Sequence, residues 1–218
     1  MKVSMVAALA AGLAVSAQAA IVQVQATGVV EFNGVRSGAF DRAVVHAGDA
    51  ATMTFQLDSD NFVNGSLFPT RGYIISPSSF NLTIGVGSTT LANPYPAGET
   101  PYFILRNNDP AVDGFLLGSH PDVGFANGVA TNEPGRFDTY LRDAFMVTYG
   151  GDTLSSLNIL DALGTYDYDG LTVYGWTLTD GGLDAMGIEF TQMTISVVPA
   201  PASLAAFGLL AGFARRRR

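Results

Sequence analysis

The chain has 218 residues, of which 48% are hydrophobic and 14% are charged, a balance that permits a buried core and excludes a disordered chain. It contains no cysteine, which excludes disulfide bonds, thiolate metal sites and cysteine nucleophiles. Without Lys2 and the four terminal arginines, it keeps all 19 acidic residues and six of its 11 basic ones, hence a net charge of −13. Such a body repels nucleic acid, so no nucleic-acid partner is expected.

The N-terminus has the layout of a secretory signal peptide. Lys2 is followed by the apolar run Val3–Val15 and then by the small-residue pattern Ala17-Gln18-Ala19. The run is shorter than the ~20 apolar residues of a permanent membrane span. It also has no polar face, which argues against an amphipathic helix of the mature fold. We therefore expect signal peptidase to cut after Ala19, or after the neighbouring Ala20.

Alternation of apolar and polar residues predicts half-buried strands through the middle of the chain. In the two clearest cases the residues expected on one face are Met53, Phe55 and Leu57, and then Phe80, Leu82, Ile84 and Val86. Further strand candidates are the segments 21–25, 27–32, 101–106, 137–149, 171–178 and 187–197.

Clusters of glycine, asparagine, aspartate and proline separate these segments and predict turns. Residues 153–163 have helical spacing and predict a short connecting helix at most. Together the patterns predict an all-β chain with a single β-sandwich or jelly-roll-like domain over residues 20–197. A signal peptide, residues 1–19, and a C-terminal hydrophobic sorting helix within residues 198–218 would flank this domain.

The segment Gly118-Ser119-His120-Pro121-Asp122 contains the residue types of a hydrolase triad in adjacent positions. A working triad gathers its members from distant segments, so a loop is the favoured interpretation. A zinc site could be built from His46, His120 and carboxylates, but no His-x-His or His-Glu-x-x-His spacing supports one. No catalytic residue is assigned, no cofactor is expected, and the protein is not expected to be an enzyme.

Two acidic clusters, residues 58–61 and 167–170, are candidate calcium loops, because calcium binds several hard oxygens on a turning loop. The first cluster has no oxygen ligand at Phe62, and the second stops after two acids. Solvated turns are therefore the favoured interpretation. Asp58 and Asp60 are the weak calcium candidates.

Trp176 is the only tryptophan, and Tyr174 lies in the same strand phase. An exposed aromatic pair of this kind can stack on sugar rings, whereas a tryptophan that packs two sheets is the favoured interpretation. Trp176 and Tyr174 are the candidate ligand-binding residues of a carbohydrate-binding module.

The C-terminal tail has three parts: a proline motif, a short apolar run and four arginines. The run, Leu204–Ala214, would span about 16 Å as a helix, well short of the ~30 Å bilayer core. Arginines resist translocation and stay cytoplasmic. The tail therefore predicts a pause in the membrane during export. The residues that carry this signal are Val198, Pro199, Ala200, Pro201, Ser203, Arg215, Arg216, Arg217 and Arg218.

This three-part tail resembles the PEP-CTERM sorting signal of Gram-negative bacteria, with Ala200 where that family has glutamate. The resemblance implies recognition by an exosortase, a membrane cysteine protease or transpeptidase, and then release or transfer to the cell surface. Members of the family occur in bacteria that make exopolysaccharide and biofilm. The stretches 47–60, 78–85, 102–110 and 187–196 are also similar to the β-rich domain common in these proteins, which implies no catalytic residue.

We therefore expect an exported protein of the bacterial cell surface or extracellular matrix, with a structural or adhesive role linked to exopolysaccharide or biofilm. Its expected partners are signal peptidase, an exosortase, extracellular polysaccharide and, transiently, the membrane. The alternative is a carbohydrate-binding module, with or without calcium.

Overall fold

A computed structural model of the chain describes residues 19–66, 68–108, 112–120, 128–135, 140–168, 176–179 and 184–199. The predicted signal peptide and sorting helix lie outside these residues, except for Ala19, Val198 and Pro199. No helix within the described ranges has the length and apolar content that a membrane crossing needs.

The described residues form a sheet of 13 strands, and each strand pairs with its neighbours in antiparallel fashion. The prediction of an all-β chain is confirmed. The strands are β1 Ile21–Asn33, β2 Ala50–Asn64, β3 Thr70–Ile75, β4 Asn81–Ile84, β5 Gly87–Thr89, β6 Tyr102–Arg106, β7 Val112–Gly118, β8 Val129–Pro134, β9 Tyr140–Asp143, β10 Met146–Gly150, β11 Gly164–Asp167, β12 Trp176–Thr179 and β13 Ala185–Val197.

The first strand lies between β2 and β13 and pairs with both of them. Alternation explains why these strands form, because every second side chain turns to the core while its neighbours face outward. The buried residues of the first two strands include Val22, Val24 and Ala26 on β1 and, as predicted, Met53, Phe55 and Leu57 on β2. The pattern alone therefore sets which face of each strand is buried.

The sheet curls because single strands change partners along their length. Residues 51–54 of β2 pair with β4, whereas Leu57 and residues 62–64 pair with β3. The hydrogen-bonded strand order is β10-β7-β6-β3-β2-β1-β13-β12-β9-β8. Yet β9 and β10 follow each other in sequence, separated only by Ala144 and Phe145. The chain itself therefore connects β10, at one end of the strand order, with β9, which lies next to the other end.

A second connection between distant parts of the curled sheet lies at β8, which is hydrogen-bonded to the segment that follows β5. The Ala92 N–H donates to the Ala130 carbonyl at 2.9 Å, and the Asn132 N–H donates to the Thr90 carbonyl at 2.8 Å. These bonds link β8 to the segment that follows β5, and β5 pairs with β4. The backbone groups along this part of β8 are thereby satisfied within the chain.

Aromatic side chains fill the core enclosed by the curled sheet. The rings of Phe55 and Phe103 lie 5.3 Å apart, and Phe103 stacks on Phe115 at 5.6 Å. Phe145 and Phe190 meet edge to face at 5.2 Å. Each buried phenylalanine contributes about 1.5–3 kcal/mol through removal from water. This hydrophobic cluster takes the place of the disulfides that the cysteine-free chain cannot form.

The predicted strand at residues 79–87 ends earlier than its apolar pattern indicates. Phe80, Leu82 and Ile84 are buried as predicted, but Val86 is 82% exposed, so its predicted inward position is wrong. Gly85 adopts a φ of 56° and turns the chain there. A left-handed glycine breaks the alternation that the apolar residues appeared to continue.

Residues 137–149 were predicted as one strand, but the described part divides into β9 and β10. Residues 153–163 contain only a four-residue 3₁₀ turn, Ile159–Ala162, and no α-helix. The Tyr73 hydroxyl accepts the Ile159 N–H at 2.9 Å and donates to the Leu157 carbonyl at 2.8 Å. A side chain from β3 therefore supplies the hydrogen bonds that another helical turn would have supplied.

At Gly28 of β1 the backbone of β13 lies very close. A Cβ atom at this position would collide with the Glu189 carbonyl oxygen of β13. The pairing register shifts here, since Thr27 faces Gln192 while Gly28 faces Phe190. The backbones approach closely because the glycine has no side chain.

We expect Gly28→Ala to lower the free energy of unfolding by about 1–3 kcal/mol, because the strands must separate to admit the methyl group. Gly150→Ala is the matched control, since its Cβ would meet no atom within 4 Å. The control should change stability by no more than about 0.5 kcal/mol. Urea denaturation measures both, and equal stabilities for the two variants would contradict the close approach.

Candidate functional site

The chain enters and leaves the sheet at the same place. β1 begins at Ile21 and β13 ends at Val197, and the two strands are antiparallel neighbours in which Val22 faces Val197. The Val198 N–H donates to the Ile21 carbonyl at 2.8 Å. Adjacent strands lie about 4.8 Å apart. The residues next to both predicted processing signals are therefore neighbours.

Ala20 is held to β2 by a reciprocal pair of hydrogen bonds with Ser59. The Ser59 N–H donates to the Ala20 carbonyl at 3.0 Å, and the Ala20 N–H donates to Ser59 Oγ at 2.9 Å. Ser59 is buried, within the part of β2 where pairing to β3 is interrupted between Leu57 and Phe62. The acidic pattern of residues 58–61 predicts only a candidate calcium loop, and it does not indicate that Ser59 binds Ala20. No local pattern signals a contact that spans 39 residues.

Asp58 and Asp60 flank this contact. The Asp60 N–H donates to Asp58 Oδ1 at 2.9 Å, which closes an Asx turn. Asp58 faces Ile21 across the β1–β2 ladder, and with Asn61 it lines a surface groove of about 380 Å³. Among the described residues, three or more histidine, cysteine, aspartate or glutamate side chains nowhere gather closely enough to hold a metal. Calcium binding by the two aspartates stays a prediction.

The predicted processing residues are described only in part. Ala19 and Pro199 are exposed, and Val198 is half-buried. The remaining predicted processing residues lie outside the described residues: Ala17, Ala200, Pro201, Ser203, Arg215, Arg216, Arg217 and Arg218.

The two aromatic ligand-binding candidates also fall at the limits of the description. Trp176 begins β12, where its backbone faces Gly187 of β13. Tyr174 lies outside the described residues. In the second acidic cluster, Asp167 Oδ1 accepts a hydrogen bond from Gln192 Nε2 at 3.0 Å. That carboxylate therefore has a structural partner across the β11–β13 ladder.

Ser119 is fully buried and is part of a polar network. Its hydroxyl donates to the Gly128 carbonyl at 2.9 Å and lies 2.9 Å from the Tyr95 hydroxyl. Arg142 donates to Ser119 Oγ at 3.3 Å and binds both carboxylate oxygens of Glu99 at 2.9 Å. Those hydrogen bonds from Arg142 lower the pKa of Glu99. The network fastens the loop before β6 to β7, β8 and β9, and its serine is shielded from solvent.

The two histidines are both exposed and lie in separate turns. The His46 N–H donates to Asp49 Oδ2 at 2.8 Å, which closes the turn before β2. His120 follows Ser119 at the end of β7. Neither position supports the zinc site that was considered from the sequence.

Asp143, at the end of β9, is fully buried, and neither carboxylate oxygen has a hydrogen-bond partner among the residues that the structure describes. Burial raises the pKa of Asp143 to about 8, because the charged form loses its hydration. The Phe145 N–H opposes this shift but forms no hydrogen bond of ordinary geometry with the carboxylate. Nothing in the local pattern distinguishes this group, since Asp143 follows the same alternation as its apolar neighbour Leu141.

We expect stability to fall as the pH rises from 5 to 8. The folded chain holds the Asp143 proton more tightly than the unfolded chain, whose aspartate pKa is near 3.9, so this contribution is full below about pH 4 and is lost towards pH 8. The loss approaches about 1.4 kcal/mol per pH unit within that window.

Urea denaturation at several pH values measures this slope, which Asp143→Asn should abolish because an amide does not titrate. Glu31→Gln removes an exposed carboxylate and should leave the slope unchanged. A wild-type chain with constant stability between pH 5 and 8 would refute the assignment to Asp143.

The chain matches no sequence-family profile, no curated protein and no solved structure. A functional conclusion therefore depends on the residues of this chain alone.

Proposed function

We propose that this chain is an exported protein of the bacterial cell surface or extracellular matrix, cut by signal peptidase near Ala19 and by an exosortase at the proline motif. The observation that carries the proposal is the hydrogen bond from the Val198 N–H to the Ile21 carbonyl, at 2.8 Å. It brings the two ends of the domain together at one end of the paired strands β1 and β13.

A shared end suits a precursor that is attached to the membrane through both terminal segments. If the two terminal segments left the folded domain at opposite ends, one of them would have to run along the surface of the domain to reach the same bilayer as the other. Here Ala19 and Pro199 are both exposed, next to neighbouring strands. The domain can therefore fold outside the membrane while both segments are still embedded.

We further propose that the described sheet is a single β-sandwich of the jelly-roll kind. Two features support two facing layers: the partner change along β2, and the direct passage from β9 to β10. Strands that switch sheets through bends are a normal way to join the layers of a sandwich. The aromatic cluster of Phe55, Phe103 and Phe115 would lie between the layers.

The proposed role outside the cell is structural or adhesive, in a matrix of exopolysaccharide or biofilm. It follows from the resemblance of the tail together with the acidic character of the body. A net charge of −13 without lysine keeps the released domain away from anionic lipid surfaces. Release from the membrane would therefore be complete once the tail is removed.

The proposal predicts two cuts in one molecule. Intact mass of the protein from membrane, periplasmic and extracellular fractions of the native host should give an extracellular form that starts at Ala20 and ends between Pro199 and Ser203. The double variant Pro199→Ala, Pro201→Ala should retain all residues through Arg218 and stay in the membrane fraction. A wild-type chain that keeps its full C-terminus in the membrane fraction would rule out exosortase processing.

Pro77→Ala is the matched control for the double variant, because Pro77 is an exposed proline in the loop between β3 and β4. It should be processed as the wild type is. A processing defect in this control as well would assign the effect to the loss of any proline, and the proline motif would lose its proposed role.

A further inference from the structure

The proposed sorting motif begins directly after Val197, the last residue of β13. Val198, its first residue, is half-buried and donates its N–H to the Ile21 carbonyl at 2.8 Å. Pro199 follows it, is exposed, and has no N–H to donate. In the folded domain, the backbone of the motif is therefore already paired at its first residue.

The carbonyl that accepts this hydrogen bond belongs to Ile21, which is held in place mainly through the hydrogen bonds of its neighbour Ala20 with Ser59. Ile21 is 41% exposed, while Val22 is fully buried. The residue before Ile21 is Ala20, which has little side-chain surface to bury, and its reciprocal hydrogen bonds with Ser59 fix it to β2 at 2.9 and 3.0 Å. Residues 20–21 are thus held by hydrogen bonds, whereas the remainder of β1 is held by the core. A strand end that is held by hydrogen bonds and buries little apolar surface opens locally far more readily than the whole domain unfolds.

Proteases and related enzymes that bind a peptide as an extended strand need its free backbone N–H and carbonyl groups. The Val198 N–H cannot serve an enzyme while it serves Ile21. An enzyme that reads the motif from Val198 onward must therefore wait until this hydrogen bond breaks, through movement of the end of β1 or of β13. Movement of the end of β1 would also take Ala20 away from Ser59.

We propose that Ala20 and Ile21 form a latch, closed by Ser59, that controls enzyme access to the backbone of the Val198-Pro199 motif. The latch rests on the proposed function, since its biological role requires an exosortase that cuts at this motif. Its physical basis is the pair of linked contacts, Ser59 with Ala20 and Ile21 with Val198. It couples the first and last residues of the folded domain.

The first test is hydrogen exchange of the full 218-residue chain in detergent micelles, read at the Val198 amide. Ser59→Ala removes the acceptor of the Ala20 N–H and should make exchange at Val198 about two- to tenfold faster, as expected for one lost hydrogen bond. Circular dichroism and the thermal midpoint would show that the variant is folded.

Ser79→Ala is the matched control, because Ser79 Oγ also accepts a backbone N–H of β2, that of Gln56 at 2.8 Å, but does not touch Ala20. It should speed exchange at Gln56 and leave Val198 unchanged. Equal exchange at Val198 in wild type and Ser59→Ala would overturn the latch. So would an acceleration at Val198 that Ser79→Ala reproduces.

The second test follows removal of the tail in the native host by pulse labelling and intact mass. Ser59→Ala should lose its tail faster than wild type by a factor close to the one measured by exchange, and Ser79→Ala should not. Equal rates in all three chains would show that the latch does not control processing. If the wild-type tail is never removed, the proposed function fails, while hydrogen exchange still decides independently whether the latch exists.

Discussion

β1 is hydrogen-bonded along both edges, to β2 on one side and to β13 on the other, and the remaining strands extend from these two neighbours. The first strand of the domain must therefore meet the last before the sheet can form. Pairing of such distant segments carries a large loop-closure entropy and is slow compared with local contacts. The proposed export of the whole chain before folding suits this order of events. The central position of β1 also means that loss of its buried middle would break the strand order between β2 and β13 and leave the hydrogen bonds at β8 as the remaining link between the two halves.

Few charges support this framework, so loops are fastened to it by single polar side chains. Asp113 of β7 accepts the Asn108 N–H at 2.8 Å and the Leu154 N–H at 2.7 Å, and so anchors two loops. Tyr73 does the same for the 3₁₀ turn after β10. Each such group satisfies backbone donors or acceptors that would otherwise be costly to bury. Asp143 is the contrasting case, because its buried carboxyl fastens nothing.

The sequence predicted the strands well where alternation was the governing rule. Met53, Phe55 and Leu57 are buried because a strand with that pattern has only one way to hide its apolar side chains. Alternation gave a wrong prediction at Val86, because Gly85 turns the chain there. It also gave a wrong prediction at Ala144, because the predicted strand divides there into β9 and β10, which have different partners. Local patterns contain the period of a strand but not the identity of its neighbour.

At the candidate site, too, local sequence patterns do not show which segments become neighbours in the fold. The processing signals are predicted from residue types at the two ends, since signal peptidase and membrane insertion depend on local composition. The proximity of Ile21 and Val198, which lie next to these predicted signals, depends on the β1–β13 register, which no local feature of either end specifies. The contact of Ser59 with Ala20 could be found only in the folded chain, because it joins a loop-like part of β2 to the first residue after the predicted cut.

The described core does not reach the described ends of the chain. It extends from Val22 on β1 to Ile195 on β13, and within the described ranges neither Ala19 nor Pro199 contributes a buried side chain to it. Loss of the pairing between Val198 and Ile21 would cost about 0.5–1.5 kcal/mol. That is small beside the burial of even one core phenylalanine. The two ends are therefore placed where they can be cut without unfolding the domain, yet close enough for the state of one to affect the other.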